Sequence, residues 1–151
     1  MIIAFCGHSN YQATQNHRDF VLNFLKEYID DPQVEFFLGE YGSFDSFAYS
    51  CAKEFKKLNP SAKLVFVTPY VPCDSHKRIA LAANRFDLVL YPPLESVPLK
   101  YAISHRNRWI VEHADLVIAY VTRKYGGAYT MYRYAKRKQV KIYNLAEADI
   151  K

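Results

Sequence analysis

Short apolar runs alternate along the chain with stretches in which apolar residues recur at helical spacing. Most of these runs are continuous rather than interrupted by polar residues, as in strands covered on both faces of a sheet. They predict six strands, at residues 2–6, 34–38, 63–67, 87–91, 116–121 and 141–144. The helical spacing predicts helices between them, at residues 18–29, 44–58, 76–84, 100–113 and 128–137.

Strands that alternate with helices are typical of a parallel sheet. The pattern therefore predicts an α/β fold with a single Rossmann-like, doubly wound and mostly parallel six-stranded sheet, with helices on both faces. No linker, repeat or low-complexity tract interrupts the 151 residues. We therefore expect one domain over residues 1–151, a usual size for a domain.

The composition excludes several classes of protein. Half of the residues are hydrophobic and 23% are charged, a globular balance. No apolar run approaches the roughly 18 residues that cross a bilayer, and the first residues lack a signal peptide's basic segment, so we expect no membrane association. There are three cysteines, an odd number, at positions 6, 51 and 73, and their spacing is not that of a metal site. Cys73 and His76 lie three residues apart, but no second pair of ligands accompanies them. We expect a cytoplasmic protein with no metal and no cofactor.

Charge is unevenly distributed along the chain. Residues 1–99 contain 9 Lys/Arg and 11 Asp/Glu, whereas residues 100–151 contain 11 and 4, which gives the second part a net charge of +7. A basic half suggests an anionic partner such as a phosphate ester, a nucleotide or a nucleic acid. The run at residues 133–138 interleaves tyrosine with basic residues, as in single-strand binders, although a basic last turn also complements a helix dipole. Charge alone leaves these alternatives open.

All five glycines follow a predicted strand: Gly7 the first, Gly39 and Gly42 the second, Gly126 and Gly127 the fifth. Open α/β sheets bind ligands at the carboxyl ends of their strands, where glycine lets backbone N–H groups approach a phosphate. The alternative is that the glycines only serve tight turns. Neither a Walker A loop nor a GxGxxG fingerprint is present, so an ordinary NAD dehydrogenase is not supported.

Six segments in this order resemble the SLOG superfamily: residues 5–9 (FCGHS), 38–42 (LGEYG), 67–69 (VTP), 106–110 (RNRWI), 114–120 (ADLVIAY) and 126–130 (GGAYT). That group includes LOG-type phosphoribohydrolases, DNA-processing proteins and nucleotide-sensing domains of bacterial defence. The chain is most similar to small single-domain bacterial and phage members. The resemblance implies a Rossmann-like fold, a nucleotide-derived ligand on the glycine loops, a role in signalling, phage defence or counter-defence, and a homodimer or larger homo-oligomer.

The chain departs from the LOG-type members at the catalytic motif. Those enzymes cleave an N-glycosidic bond with the motif Pro-Gly-Gly-x-Gly-Thr-x-x-Glu and an arginine, which the resemblance carries to Gly126, Gly127, Thr130 and Arg106. No proline precedes the glycines, and Arg133 stands where the glutamate is expected. A carboxylate stabilises the oxocarbenium-like cation of glycosidic cleavage, whereas an arginine favours phosphate.

The predicted ligand-binding residues come from the glycine loops, the end of the third strand and two helices. They are Gly7, His8, Ser9, Asn10, Gly39, Tyr41, Gly42, Phe44, Asp45, Pro69, Arg106, Gly126, Gly127, Ala128, Tyr129, Thr130 and Arg133. The aromatic members either stack on a base or belong to the core. Asp45 either binds a ribose hydroxyl or only complements its helix dipole. Glu40, Asp45 and Arg106 are the weak candidates for catalysis, and His8 is a further candidate for a general base.

These observations favour a protein that binds a nucleotide-derived small molecule, an ADP-ribose-like or cyclic nucleotide signal, as a sensor or a sequestering protein. One alternative is a LOG-like nucleoside 5′-monophosphate phosphoribohydrolase. Another is a single-stranded DNA-binding protein that uses its basic second half.

Overall fold

Six parallel strands form one sheet in the computed structural model, which describes residues 1–70 and 85–148. They are β1 (Ile2–Gly7), β2 (Glu35–Leu38), β3 (Lys63–Val67), β4 (Leu88–Leu90), β5 (Leu116–Tyr120) and β6 (Lys141–Asn144). Their spatial order is β4-β3-β2-β1-β5-β6, and every neighbouring pair is parallel. The predicted Rossmann-like α/β class is confirmed, and this sheet is parallel throughout rather than only mostly so.

Five α-helices lie in the described part of the chain: α1 (Gln15–Leu25), α2 (Ser43–Leu58), α3 (Ala102–His113), α4 (Gly127–Arg137) and the short α5 (Leu145–Ala148). Single 3-10 turns at Lys26–Tyr28 and Leu99–Tyr101 follow α1 and precede α3. The first helix starts three residues before its predicted start because the Thr14 hydroxyl accepts the backbone N–H of His17 at 3.1 Å, an N-cap. The helix predicted at residues 76–84, with Cys73 and His76, lies outside the described residues.

Successive strand residues enter two separate cores. Ile3 and Phe5 of β1 pack on the side of α1 and α2, whereas Ala4 and Cys6 pack on the side of α3 and α4. Both faces of each central strand are therefore apolar. This arrangement explains why the strands are continuous apolar runs in the sequence instead of alternating ones.

The chain reverses its direction of winding beside β1. It proceeds from β1 through β2 and β3 to β4 on one side, then returns to add β5 and β6 on the other, so β1 pairs with both β2 and β5. The loops after β1 and β5 diverge at this point and leave a crevice between them, the usual ligand position in this fold. Gly7, the last residue of β1, is paired with Tyr120 of β5 and marks the crevice floor.

Candidate functional site

A crevice of about 230 Å³ opens at the carboxyl ends of β1, β2 and β5. Its walls come from the three glycine loops and from α3. Eleven of the predicted ligand-binding residues line it: Gly7, His8, Ser9, Gly39, Tyr41, Gly42, Asp45, Arg106, Gly126, Gly127 and Ala128. Three residues that were not predicted also line it: Cys6, Asn107 and Arg123.

Two of the crevice glycines are needed for packing. A Cβ on Gly7 would lie 2.2 Å from Cγ of Phe44, and one on Gly42 would lie 2.7 Å from Cα of Ser9. Separations this short do not occur between real atoms, so a side chain at either position would force α2 away from β1 or from the loop after it. Turn and packing requirements, the alternative left open above, account for these two glycines.

Phe44 belongs to the core. Its side chain is 1% exposed and its ring lies 5.0 Å from that of Tyr11 and 5.5 Å from that of Phe47, centroid to centroid. A ring enclosed in this way has no free face for a base. Of the two alternatives for the aromatic residues, Phe44 therefore follows the second and belongs to the core. The prediction that it contacts a ligand is corrected.

Arg106 is buried at the end of β3 and held by two acceptors. Its Nη1 donates to the carbonyl oxygen of Val67 at 3.2 Å, and its Nε and Nη2 donate to Oδ1 of Asn107 at 3.1 and 2.9 Å. Its Cζ lies 5.3 Å from the ring centroid of Tyr41, a cation–π contact. Burial lowers the pKa of Arg106, and the nearby Asp45 carboxylate opposes that change. The guanidinium is thus a fixed positive charge in the crevice wall.

Asp45 faces Arg106 across the space above Gly39. A Cβ at Gly39 would meet Nη1 of Arg106 at 3.1 Å and Oδ2 of Asp45 at 3.2 Å, so the absent side chain leaves both groups accessible. Oδ2 of Asp45 accepts the backbone N–H of Tyr41 at 2.9 Å. Burial raises the pKa of this carboxyl, while the Tyr41 hydrogen bond and the Arg106 charge lower it. A carboxylate beside a fixed arginine is suited to accept hydrogen bonds from ligand hydroxyl groups.

His8 joins the loop after β1 to the loop after β5. Its Nε2 accepts the backbone N–H of Thr122 at 3.0 Å, which places the proton of the neutral ring on Nδ1. Desolvation and the positive charge of Arg123 both lower the pKa of His8 below its ordinary value of 6.5. The Nε2 lone pair is already in use, so this geometry favours a positioning role for His8 over a general base.

The amino end of α4 is the most open part of the crevice. Gly126 caps it with φ +91°, in the region that only glycine adopts readily, and a Cβ on Gly127 would meet no atom of the described residues within 4 Å. Within residues 1–70 and 85–148 no side chain caps this helix, and no acidic residue lies in its first turn. The first N–H groups of a helix have no partner within the helix, so this end presents donors and a positive dipole end to the crevice.

Arg123 is a crevice residue that sequence reasoning missed. It lies in the loop between β5 and α4, lines the crevice beside His8, and its Nε is buried without a hydrogen-bond partner in the described structure. The available signal was its position three residues before the Gly126-Gly127 pair.

The remaining predicted residues do not line the crevice. Asn10 lies in a neighbouring depression, Pro69 is buried, and Thr130 and Tyr129 line two other depressions beside α4. Arg133 is exposed on α4, with its Cζ 5.8 Å from the Tyr129 ring centroid. The Glu40 carboxylate is drawn outward into an ion pair with Arg85. Spacing in sequence could not distinguish these orientations, because each depends on helix rotation or on a distant partner.

Cys6 lies on the crevice floor as a protonated thiol. Burial and the negative charge of Asp45 raise its pKa to about 12, and its Sγ donates to the carbonyl oxygen of Ala128 at 3.1 Å. It is therefore a packing residue and a poor nucleophile. Across residues 1–70 and 85–148, no three His, Cys, Asp or Glu side chains gather into a group able to hold a metal ion. No helix of that part is long and apolar enough to span a bilayer.

Comparison with solved structures finds the same fold in two DNA-processing proteins. DNA processing protein A from Helicobacter pylori, which binds single-stranded DNA, is similar over 94% of this chain with a TM-score of 0.61 and 19% identity. DNA processing protein A from Streptococcus pneumoniae is similar over 93% of this chain with a TM-score of 0.62 and 19% identity. The chain spans 63% and 48% of those two proteins. No protein-family model and no curated protein matches.

These similarities agree with the predicted Rossmann-like fold. At 19% identity they carry the fold alone. The chemistry of this chain therefore has to be argued from its own crevice.

Proposed function

We propose that the chain binds a phosphate-bearing nucleotide derivative, an ADP-ribose-like or cyclic nucleotide signal, and does not cleave it. The observation that carries this proposal is the open, uncapped amino end of α4 in a crevice that also holds Arg106 and Arg123. Backbone donors at a helix end and arginine side chains are the usual groups that bind phosphate. Binding without turnover suits a sensor or a protein that sequesters its ligand.

The phosphate is assigned to α4 rather than α2. Both helices begin at the crevice, but α2 carries Asp45 in its first turn, whereas α4 has no acid there. An anion beside Asp45 meets a like charge, while an anion at Gly127 meets only N–H donors and the positive dipole end. Asp45 then lies on the opposite wall, where a ribose hydroxyl can donate to it.

The same crevice argues against the LOG-like alternative. Arg133 replaces the expected glutamate and is exposed on α4, and Glu40 is paired with Arg85. Asp45 remains the carboxylate of the crevice wall, but its Oδ2 already accepts the Tyr41 N–H and its charge faces Arg106. Among the described residues Asp45 is the one acid of this lining, so no carboxylate takes the place on α4 that the LOG-type glutamate would hold.

The test combines ligand binding with product analysis. The thermal stability of the protein is measured with AMP, ADP-ribose, NAD and cyclic dinucleotides, and the same samples are analysed by chromatography for free base. A ligand at a hundred times its Kd adds about 2.7 kcal/mol of stability, which is easily detected. We expect stabilisation with the ligand recovered intact. Release of free base that is lost in Asp45→Asn would instead favour the hydrolase, and no stabilisation by any compound would refute the proposal.

Arg106→Gln and Arg108→Gln form a matched pair of variants for the same assay. Both remove one positive charge from α3, but Arg106 lines the crevice whereas Arg108 is exposed and lies 5.7 Å from the Tyr134 ring. We expect Arg106→Gln to weaken nucleotide binding about tenfold or more, the usual effect of losing a charged hydrogen bond, and Arg108→Gln to leave it unchanged. Equal losses in both variants would indicate a general electrostatic effect instead of a site.

Single-stranded DNA binding is the second candidate function, and a groove between α3 and α4 supports it. Lys100, Arg108, Tyr134 and Arg137 line this groove, and cation–π contacts join Tyr134 to Arg108, Arg137 and Lys138. Basic side chains around an aromatic ring suit a single strand, and the Helicobacter pylori protein of this fold binds one. The test measures the affinity for a single-stranded oligonucleotide at increasing salt concentrations. A steep dependence that flattens in the Lys136→Gln/Arg137→Gln/Lys138→Gln variant would support this function, and salt-insensitive or absent binding would exclude it.

A further inference from the structure

A second depression of about 560 Å³ adjoins the crevice and shares two of its walls, His8 and Arg123. It lies between the loop that joins β1 to α1 and the end of β5. Its other lining residues are Asn10, Tyr11, Gln12, Thr14, Asn16, His17, Tyr120 and Thr122. Of the predicted ligand-binding residues, His8 and Asn10 line it.

The crevice by itself is smaller than most ligand sites. Ligand sites in proteins usually measure about 300–1,000 Å³, so the 230 Å³ of the crevice alone is small for a whole nucleotide derivative. A ligand with its phosphate at α4 therefore has to extend outward. His8 and Arg123 line both spaces, so a ligand that extends past these two side chains reaches the second depression.

Arg123 stands where the two spaces meet. Its Nε is buried and has no hydrogen-bond partner in the described part of the chain. A buried donor of this kind costs free energy unless it is satisfied, and a guanidinium is best satisfied by a phosphate or a carboxylate. The His8 ring beside it is held neutral, both by the hydrogen bond to Thr122 and by the lowered pKa, so it adds no second charge.

Among the described residues, the lining of the second depression contains no Asp, Glu or Lys, and its one arginine is Arg123. Three exposed amides surround it, those of Asn10, Gln12 and Asn16, and each offers both a donor and an acceptor. Its floor is a rigid aromatic group in which the Tyr11 hydroxyl lies 2.7 Å from Nδ1 of His17 and the Tyr11 ring lies 4.8 Å from that of Tyr120. Amide groups over an apolar floor suit a neutral polar group such as a sugar or a base, and provide nothing that would hold a second phosphate.

We propose that this depression is a second binding compartment, so that the ligand is a nucleoside diphosphate joined to a further sugar or nucleoside. Its phosphate bridge runs from the amino end of α4 past Arg123, and its second sugar or base lies among Asn10, Gln12 and Asn16. This inference rests on the proposed function and narrows its ligand class. A nucleoside monophosphate fills only the first space.

The experiment compares AMP with ADP-ribose by isothermal titration calorimetry. In the natural protein we expect ADP-ribose to bind at least about tenfold more tightly than AMP, because a further charged hydrogen bond contributes about that much. Arg123→Gln should weaken the binding of ADP-ribose more than that of AMP, and so remove most of this preference. Lys124→Gln is the matched control, since it removes the same charge one residue later from an exposed side chain that lines neither space.

The double variant Gln12→Ala/Asn16→Ala tests the compartment without altering charge. Both side chains are exposed, so the fold is expected to survive the change. ADP-ribose should bind more weakly to this variant, while AMP binds as before. Equal affinity for AMP and ADP-ribose, or equal losses for both ligands in the variants, would overturn the second compartment and leave the proposed function intact. Failure of both ligands to bind the natural protein would refute both.

Discussion

Helices α2 and α4 both begin at the crevice directly after a glycine. The surroundings of their amino ends nevertheless differ. At α2, Gly42 lies against Ser9, the Ser43 N–H donates to the Ser9 carbonyl oxygen at 3.0 Å, and Asp45 occupies the first turn. At α4, no atom of the part of the chain that the structure describes lies within 4 Å of a Cβ placed on Gly126 or Gly127, and the first turn has no acid. One helix end is closed by packing, and the other is open to a ligand.

This difference shows that a glycine after a strand has no single meaning. In the α2 region glycine makes room for other parts of the protein, whereas in the α4 region it leaves room that the protein does not fill. The distinction can be measured, because adding one methyl group at each position should affect stability in the first region and ligand binding in the second. The following substitutions test it, from the largest expected effect to the smallest.

Gly7→Ala should have the largest effect on stability. The added Cβ would lie 2.2–2.8 Å from three atoms of the Phe44 side chain, including its Cβ, which cannot swing away. Overpacking of a rigid core costs about 3 kcal/mol or more at this severity. Urea unfolding followed by circular dichroism measures the loss. Gly7→Ala/Phe44→Leu serves as the check, since a smaller partner should restore part of the stability; no recovery would mean that the contact is not the cause.

Gly42→Ala should cost about 2 kcal/mol of unfolding free energy. Gly42 is extended, with φ −176°, so the backbone tolerates any residue there and only the approach of Ser9 is at issue. The neighbouring atom is the Cα of Ser9, which can retreat if the loop after β1 moves. The same urea measurement applies, and a stability equal to that of the natural protein would show that this loop is not fixed by α2.

Asp45→Asn should make stability less dependent on pH. The folded-state pKa of Asp45 is raised above its ordinary value of 3.8, chiefly by burial, so the folded protein takes up this proton before the unfolded chain does as pH falls. The carboxyl therefore destabilises the fold above its raised pKa, and this penalty is relieved as pH falls toward 3.8. The Asp45→Asn variant should be more stable than the natural protein at pH 7, and this difference in stability should shrink as the pH falls. An advantage that is constant with pH would contradict this account.

Gly127→Ala should leave stability within about 0.5 kcal/mol of the natural protein, because its Cβ enters open space and alanine is a good helix former. The same methyl group projects at the amino end of α4, where the phosphate is assigned, so nucleotide affinity should fall. Thermal unfolding with and without ADP-ribose separates the two effects. Unchanged affinity would move the phosphate away from this helix end and remove the contrast with α2.

The sequence predicted the fold more completely than the site. Continuous apolar runs and helical spacing identified all six strands of the described structure, because burial on both faces leaves a strong local signal. For the site, the strand-end glycines pointed to the edge of the sheet at which the crevice lies. They did not show that Phe44 turns into the core or that Glu40 pairs with Arg85, since both outcomes depend on residues far along the chain.

What the sequence by itself determined is the α/β class, the position of the crevice at the carboxyl edge and the basic character of the second half. These follow from periodicity and composition, which are local properties. The tertiary structure alone decided which helix end is open, that Arg106 and Asp45 face each other across Gly39, and that Arg123 lies between two spaces. The physical reason is that burial, pKa and hydrogen-bond satisfaction depend on what packs around a group, and strands distant in sequence supply those neighbours.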